Sequence, residues 1–325
     1  MREKQEIRGG ASVARARALI DVAMLMSQDR SNPERPYRDA RISIGTVSGG
    51  EFHAGLSFAT GSPDIAYAVA RREIDVAALN PSAFLTMAYR GTGPFVEPLS
   101  LRALAVMPSW DRMAFAVNPA TGVHSFADLR ERQWPLRLSI RRNTAHATRF
   151  LIDAVLEAEG MSLADLESWG GSIEYVDSPS EALRIEAIER GSVDAVFDEG
   201  IKGWGPLALE HGLRFLPLGE AAEQKLKAMG WPLGPLPPER FPEVDARLLA
   251  PSFSGWPIVT HVDLPEGVAY RFAAALDAVR PAIEFDWDGP VTLGDLCNNS
   301  DGTALDAPLH PGAARYYREQ HALRE

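Results

Sequence analysis

The chain has 325 residues, enough for two domains of ordinary size, and 33 Lys+Arg against 44 Asp+Glu leave a formal charge of −11 at pH 7. That balance excludes a general polyanion binder such as a dedicated nucleic-acid-binding protein, which presents a broad basic face. An apolar share of 46% is that of a globular chain, and a single cysteine, Cys297, excludes an internal disulfide or a cysteine-rich zinc site.

Arg2, Lys4 and Arg8 open the chain as the charged region of an export signal would, but Arg15, Arg17 and Asp21 interrupt the next stretch. A signal needs an unbroken apolar run of about 7–15 residues. Leu19, Val22, Ala23 and Met26 instead fall at helical spacing. Residues 1–40 therefore read as a surface helix and a linker, Asn32-Pro33-Glu34-Arg35-Pro36. No apolar run approaches the roughly 18 residues of a membrane span. As written the chain is expected in the cytoplasm, and in the periplasm only if a signal lies outside it or was removed.

A strand is expected at Arg41-Ile42-Ser43-Ile44-Gly45, then a turn, Thr46-Val47-Ser48-Gly49-Gly50, then a helical pattern through Phe52 and Leu56. Ser62-Pro63-Asp64 reads as a helix start. Ile74 to Leu79 reads as a buried strand ending at Asn80-Pro81, and strands follow at 101–106 and 113–117. A second strand–helix series then begins. It has a capped helix at Ser125-Phe126-Ala127-Asp128-Leu129, strands at 136–140, 173–176 and 193–197, helices over 148–160 and 180–190, and a return strand at 213–216. A proline-rich loop covers 231–238, an extended segment 252–262, and helices 265–283 and 311–323. Such alternation implies two largely parallel sheets of similar plan, an α/β fold.

In open α/β sheets ligands lie outside the carboxyl ends of strands, which selects four loops. Thr46, Ser48, Gly49 and Gly50 form a glycine-rich turn whose backbone N–H groups would face an anion. It is neither a P-loop nor a dinucleotide fingerprint. In the second series the equivalent turn holds Arg141, Arg142, Asn143, Thr144, His146 and Thr148, and cations at a helix start want a compensating anion. Asn80 and Ser82 end one strand, and Asp198 and Glu199 another. Asp198 or Glu199 is suited to pair Arg141 or Arg142, to accept from a ligand amine, or to act as a base, with salt-bridging the simplest. The seven histidines show no metal-ligand spacing, there is no Gly-x-Ser-x-Gly elbow, and neither a metal nor a cofactor is expected.

The order Ile42-Ser43-Ile44-Gly45-Thr46, Ser48-Gly49-Gly50, Ile74-Asp75-Val76 and Leu101-Arg102-Ala103-Leu104-Ala105 resembles the TAXI family, the solute receptors of tripartite ATP-independent periplasmic (TRAP) transporters. The likeness continues through Ser125-Phe126-Ala127-Asp128-Leu129 and Val193-Asp194-Ala195-Val196-Phe197. It is most specific in Gly255-Trp256-Pro257-Ile258-Val259-Thr260 and Leu309-His310-Pro311-Gly312-Ala313…Tyr316-Tyr317, and together it covers roughly residues 40–320. The resemblance implies a two-lobed type II periplasmic-binding-protein fold, each lobe a mixed sheet flanked by helices, closing on a small, usually carboxylate-bearing solute. One lobe would hold 41–115 and 218–325 and the other 116–217, with TRAP-type membrane permease subunits as partners if the protein is exported.

Two features depart from that family: no export signal is read, and the family's small-residue second loop is partly replaced. Arg141 stands at its first glycine, Ala145 at its serine, His146 at the next glycine and Ala147 at its threonine. The expectation is a binding protein without catalysis, in which Arg141 and Arg142 face a carboxylate. The rival is a cytoplasmic enzyme on the same scaffold, a decarboxylase or lyase of a small organic acid, with His146 or Glu199 moving a proton.

Overall fold

The computed structural model describes residues 40–45, 53–58, 63–242, 244–245, 247–282 and 287–324, the first two stretches as backbone only. The expected N-terminal helix and the Thr46, Ser48, Gly49, Gly50 turn lie outside these residues.

Strands buried on both faces read as near-continuous apolar runs, and this is how the central strands are written. Val76–Ala78 (β3), Ala114–Val117 (β5) and Ala195–Asp198 (β8) are buried throughout, as is most of Leu101–Met107 (β4). With Ala40–Gly45 (β1), His53–Phe58 (β2) and Trp256–His261 (β12), β3 and β4 build one five-stranded sheet in the order β1-β2-β3-β12-β4. Arg137–Arg141 (β6), Ser172–Val176 (β7) and Arg214–Leu216 (β9) join β5 and β8 in the second, in the order β7-β6-β8-β5-β9. A two-stranded ribbon, Leu233–Pro235 (β10) with Leu249–Pro251 (β11), lies on the return path.

The sheets are mixed. β6 runs parallel to β7 and β8, but β5 is antiparallel to β8 and β9. In the first sheet β12 is antiparallel to β3 and β4. β1 is antiparallel to β2 as well. The parallel reading of the sequence misses all three: β1 and β2 are consecutive strands, β5 follows β4 directly from the first sheet, and β12 returns after the second sheet is complete. This is an α/β architecture of two mixed five-stranded sheets flanked by helices, the class that the sequence pattern leads one to expect.

Alternation along each strand sends side chains into different cores. In the first sheet Ala77, Leu101 and Ala103 pack with Ile65, Val69 and Phe84 from helices Pro63–Ala70 and Ser82–Arg90. Their neighbours Val76, Leu104 and Ile258 pack with Ala269, Ala273 and Tyr317 from helices Glu266–Val279 and Pro311–Glu319. In the second sheet Phe115, Leu138, Ile140 and Phe197 meet Phe126, Leu151 and Val155, while Ala116 and Val196 meet Ile188, Ile201 and Trp204.

The expected helix start at Ser125 is found, with its hydroxyl accepting from Asp128 N–H at the head of Phe126–Arg132. A second expectation fails. The helical pattern through Phe52 and Leu56 is strand β2, because Ala54, Leu56 and Phe58 alternate with His53, Gly55 and Ser57 at the strand period, and Leu56 pairs with Val76. Four helices are not evident in the sequence pattern: Ser82–Arg90, Leu163–Ser168, Ile201–Glu210 and Glu220–Met229. Gly203, Gly205 and Pro206 disguise the third, whose formation rests on burying Trp204.

Candidate functional site at the carboxyl edges of the two sheets

β6 and β8 run side by side and end together, so their last residues, Arg141 and Asp198, share one edge. Asp198 is fully buried. A fully buried guanidinium answers it: Arg184 Nη1 lies 2.5 Å from Asp198 Oδ2, and Arg184 Nε donates to Ser139 Oγ at 3.0 Å. Arg141 Nε lies 3.6 Å from the same Asp198 oxygen, and Arg141 Nη2 pairs with Glu199 Oε1. The pairing of Asp198 and Glu199 with Arg141 is the simplest of the roles open to them in the sequence. Burial works against the Arg141 charge, but Asp198 and Glu199 outweigh it and raise its pKa.

A third carboxyl group completes the cluster. Asp111 arrives on the connection between β4 and β5, and its Oδ1 accepts from Arg112 N–H at 2.8 Å and its Oδ2 from Gly200 N–H at 2.9 Å. Its carboxyl group interacts with that of Glu199 as well. Burial, above all, raises the Asp111 pKa to about 6. Burial, then the adjacent Asp111 and Asp198, hold Glu199 well above the carboxylate range despite Arg141. Gly200 makes the turn: its φ of 67° is left-handed, and a Cβ there would meet the Pro179 ring at 2.6 Å.

His146 caps helix Ala147–Ala158. Its Nδ1 accepts from Thr148 N–H at 3.2 Å and lies 2.9 Å from Thr148 Oγ1. Burial, then the Arg141 charge, lower its pKa to about 4, so at neutral pH the ring is uncharged, with Nδ1 engaged and Nε2 as its N–H donor.

The first sheet contributes a second edge. Asn80 and Ser82 follow β3 and are buried. Asn80 Nδ2 donates to Gly255 O at 3.4 Å, and Ser82 N–H to Ser254 O at 3.2 Å. Ser82 Oγ has no hydrogen-bond partner among the described residues. The strand leading into β12 joins the edges. Ser252 bridges to Arg112, Phe253 N–H donates to Asp111 O at 3.0 Å, and Arg112, itself fully buried, donates to Ser252 Oγ and Ser254 Oγ at 3.2 and 2.9 Å. The Phe253 ring is parallel to His146 within 5°, at 6.5 Å between centroids. Trp231, 5.7 Å from Phe253, continues an aromatic wall through Phe84 and Phe150.

The structure thus brings together Asn80 and Ser82 on one edge, and Arg141, His146, Thr148, Asp198 and Glu199 on the other. Arg142 is directed elsewhere: it is half-exposed, donates to Tyr175 O at 2.8 Å and lies 3.4 Å from Asp177 Oδ1 at the end of β7. Asn143 Oδ1 accepts from Ala145 N–H within its own turn, and Thr144 is exposed. Sequence reasoning misses Asp111, Arg112, Arg184 and Phe253. Asp111-Arg112 lies between two expected strands and so at a strand edge, a usable signal, but nothing in local spacing marks Arg184. Among the described residues no group of His, Cys, Asp and Glu is arranged to hold a metal, and no helix is long and apolar enough to cross a membrane.

No family model and no curated relative matches the sequence. Similar solved structures include the alkanesulfonate-binding protein of Xanthomonas axonopodis pv. citri bound to MOPS, at 17% identity over 68% of this chain and 63% of that one, TM-score 0.30. A Xanthomonas citri protein bound to chloride ion is 14% identical over 81% of each chain, TM-score 0.40. A glycine betaine/L-proline-binding protein of Borrelia burgdorferi is 12% identical over 68% of each, TM-score 0.39. The matched part spans only 63% of the first of these proteins and 56% of the periplasmic aliphatic sulphonate-binding protein of Escherichia coli.

Proposed function

We propose that the protein is a solute-binding protein that captures a small carboxylate-bearing ligand between the facing carboxyl edges of its two sheets, without catalysis. One observation carries the reading. A guanidinium, Arg141, is held nine-tenths buried at the end of β6 beside Asp198 and Glu199, and the buried Ser82 hydroxyl that follows β3 has no hydrogen-bond partner among the described residues. Buried polar groups are normally satisfied, so a hydroxyl left over there is what a polar solute would use. In this reading Arg141 meets the carboxylate, and His146, Asn80, Ser82 and Thr148 line its surroundings. Thr46, Ser48, Gly49 and Gly50 would close the other end.

The two lobes are proposed as 41–115 with 218–325, and 116–217. The TAXI-like assignment, a small anionic organic ligand, TRAP-type permease subunits as partners and a periplasmic location after export belong to the same proposal. His146 is poorly placed to abstract a proton, since the nitrogen that would accept it caps a helix. Native mass spectrometry of the full chain tests the reading. The expected result is a bound organic acid recovered unchanged; release of a product one carbon dioxide lighter would overturn it in favour of a decarboxylase.

A further inference from the structure

Arg141 is the proposed anchor for a ligand carboxylate, yet two acidic side chains of its own chain stand beside it. Glu199 lies on its Nη2, and Asp198 Oδ2 is 3.6 Å from its Nε, longer than a hydrogen bond. Both Asp198 oxygens are already engaged elsewhere. Arg184 Nη1 lies 2.5 Å from Oδ2, and Glu199 N–H donates to Oδ1 at 2.9 Å. Arg184 is held in its turn: its side chain is fully buried, its Nε donates to Ser139 Oγ at 3.0 Å, and its Nη1 donates to Pro179 O at 3.2 Å. Ser139 and Arg141 are two residues apart on β6 and so share a face of the sheet. Arg184 therefore lies one strand step behind Arg141, with Asp198 between the two guanidiniums.

We infer that Arg184, which no ligand reaches, is a positioning residue for anion capture: by holding Asp198 it keeps Arg141 available to the ligand's carboxylate. This rests on the carboxylate reading above. With Arg184 in place, two guanidiniums answer Asp198 and Glu199. Without it, Arg141 alone would stand against both, and an entering anion would meet an excess of negative charge. Asp198 Oδ2, released from its 2.5 Å contact, would turn to Arg141 Nε and compete with the ligand for it. Charges this close, enclosed where salt screens them poorly, decide whether an anion is held. Arg112, the other fully buried guanidinium of this region, cannot take the place of Arg184. It is committed to Asp301 and to the Ser252 and Ser254 hydroxyls.

The test is calorimetric titration of the full chain with pyruvate, succinate and benzoate at low ionic strength. Asp198→Asn keeps an acceptor for Arg184 and for Glu199 N–H but removes the charge beside Arg141. It should bind the same acid about tenfold more tightly than wild type, the effect of one charge at this range, even though breaking a buried ion pair lowers its unfolding midpoint. Arg184→Met should bind that acid at least about tenfold more weakly, and adding Asp198→Leu should bring the affinity back toward wild type. A purely structural pair predicts the opposite for Asp198→Asn, weaker binding alongside lower stability. Equal or weaker binding by Asp198→Asn, or unchanged affinity in a folded Arg184→Met protein, overturns the inference and leaves the carboxylate reading standing. Should Arg184→Met not fold, Asp198→Asn decides alone. Failure of all three acids to bind wild type and Asp198→Asn alike overturns the carboxylate reading and this inference with it.

Discussion

Arg184 Nη1 and Asp198 Oδ2 form an ion pair 2.5 Å long with both side chains fully buried, beneath the edge where Arg141 and Glu199 meet. The pair joins helix Ala182–Glu189 to β8 and leaves Asp198 shared between two guanidiniums, so Arg141 is positioned by a group that is itself immobile.

Removing one member of a buried pair strands the other's charge. Arg184→Met is expected to cost about 3–5 kcal/mol in urea unfolding, whereas the double change Arg184→Met with Asp198→Leu recovers much of the loss. Equal stability of Arg184→Met and wild type would contradict the burial of this pair.

His146 makes stability depend on pH. Its pKa is lowered from 6.5 to about 4 in the folded protein, so its contribution is present above pH 6.5 and is lost as pH falls toward 4. The raised Asp111 acts oppositely: its contribution is present below 3.8 and is lost as pH rises through about 6. His146→Asn keeps a capping side chain and removes only the first effect. Between about pH 7.5 and about pH 5, wild type should lose about 2 kcal/mol more than this variant. Unfolding curves at the two pH values check the difference, and parallel losses would refute it.

Much of this edge is legible in the sequence. Arg141, His146, Asp198 and Glu199 stand out because strand and helix patterns are local, and because ligands favour the carboxyl ends of strands. Arg184 does not, since it lies 45 residues from Ser139 and 14 from Asp198, and only folding turns it inward. The β2 error has a similar origin: Phe52 and Leu56 satisfy a helical spacing, and pairing with β3 decides for the strand. Adjacency groups Arg142 with Arg141, yet Arg142 lies just past the end of β6 and turns to Tyr175 O and Asp177 instead.

Gly255 tests the first sheet's edge. Its φ is 78°, and a Cβ there would collide with Ser82 Oγ. Gly255→Ala should therefore destabilise the protein by more than about 1 kcal/mol. Adding Ser82→Ala should recover part of that loss by removing the collision while leaving the backbone strain. Thermal unfolding of the single and double variants measures both parts.

Cys297 is buried, and burial, with Asp295 adding, pushes its thiol up to about 12. A thiol so placed is inert. Titration with a thiol-reactive dye should give no reaction with the native chain and one equivalent after denaturation, and prompt native labelling would contradict the packing around it.

The most direct test of anion capture is titration of an acid that binds the wild type into Arg141→Lys, which keeps the charge beside Asp198 and Glu199 but loses the planar fork. Binding weakened at least about tenfold, with an unfolding midpoint close to wild type, is the predicted result. Unchanged affinity in a folded Arg141→Lys protein would contradict the assignment of Arg141 as the partner of the ligand's carboxylate.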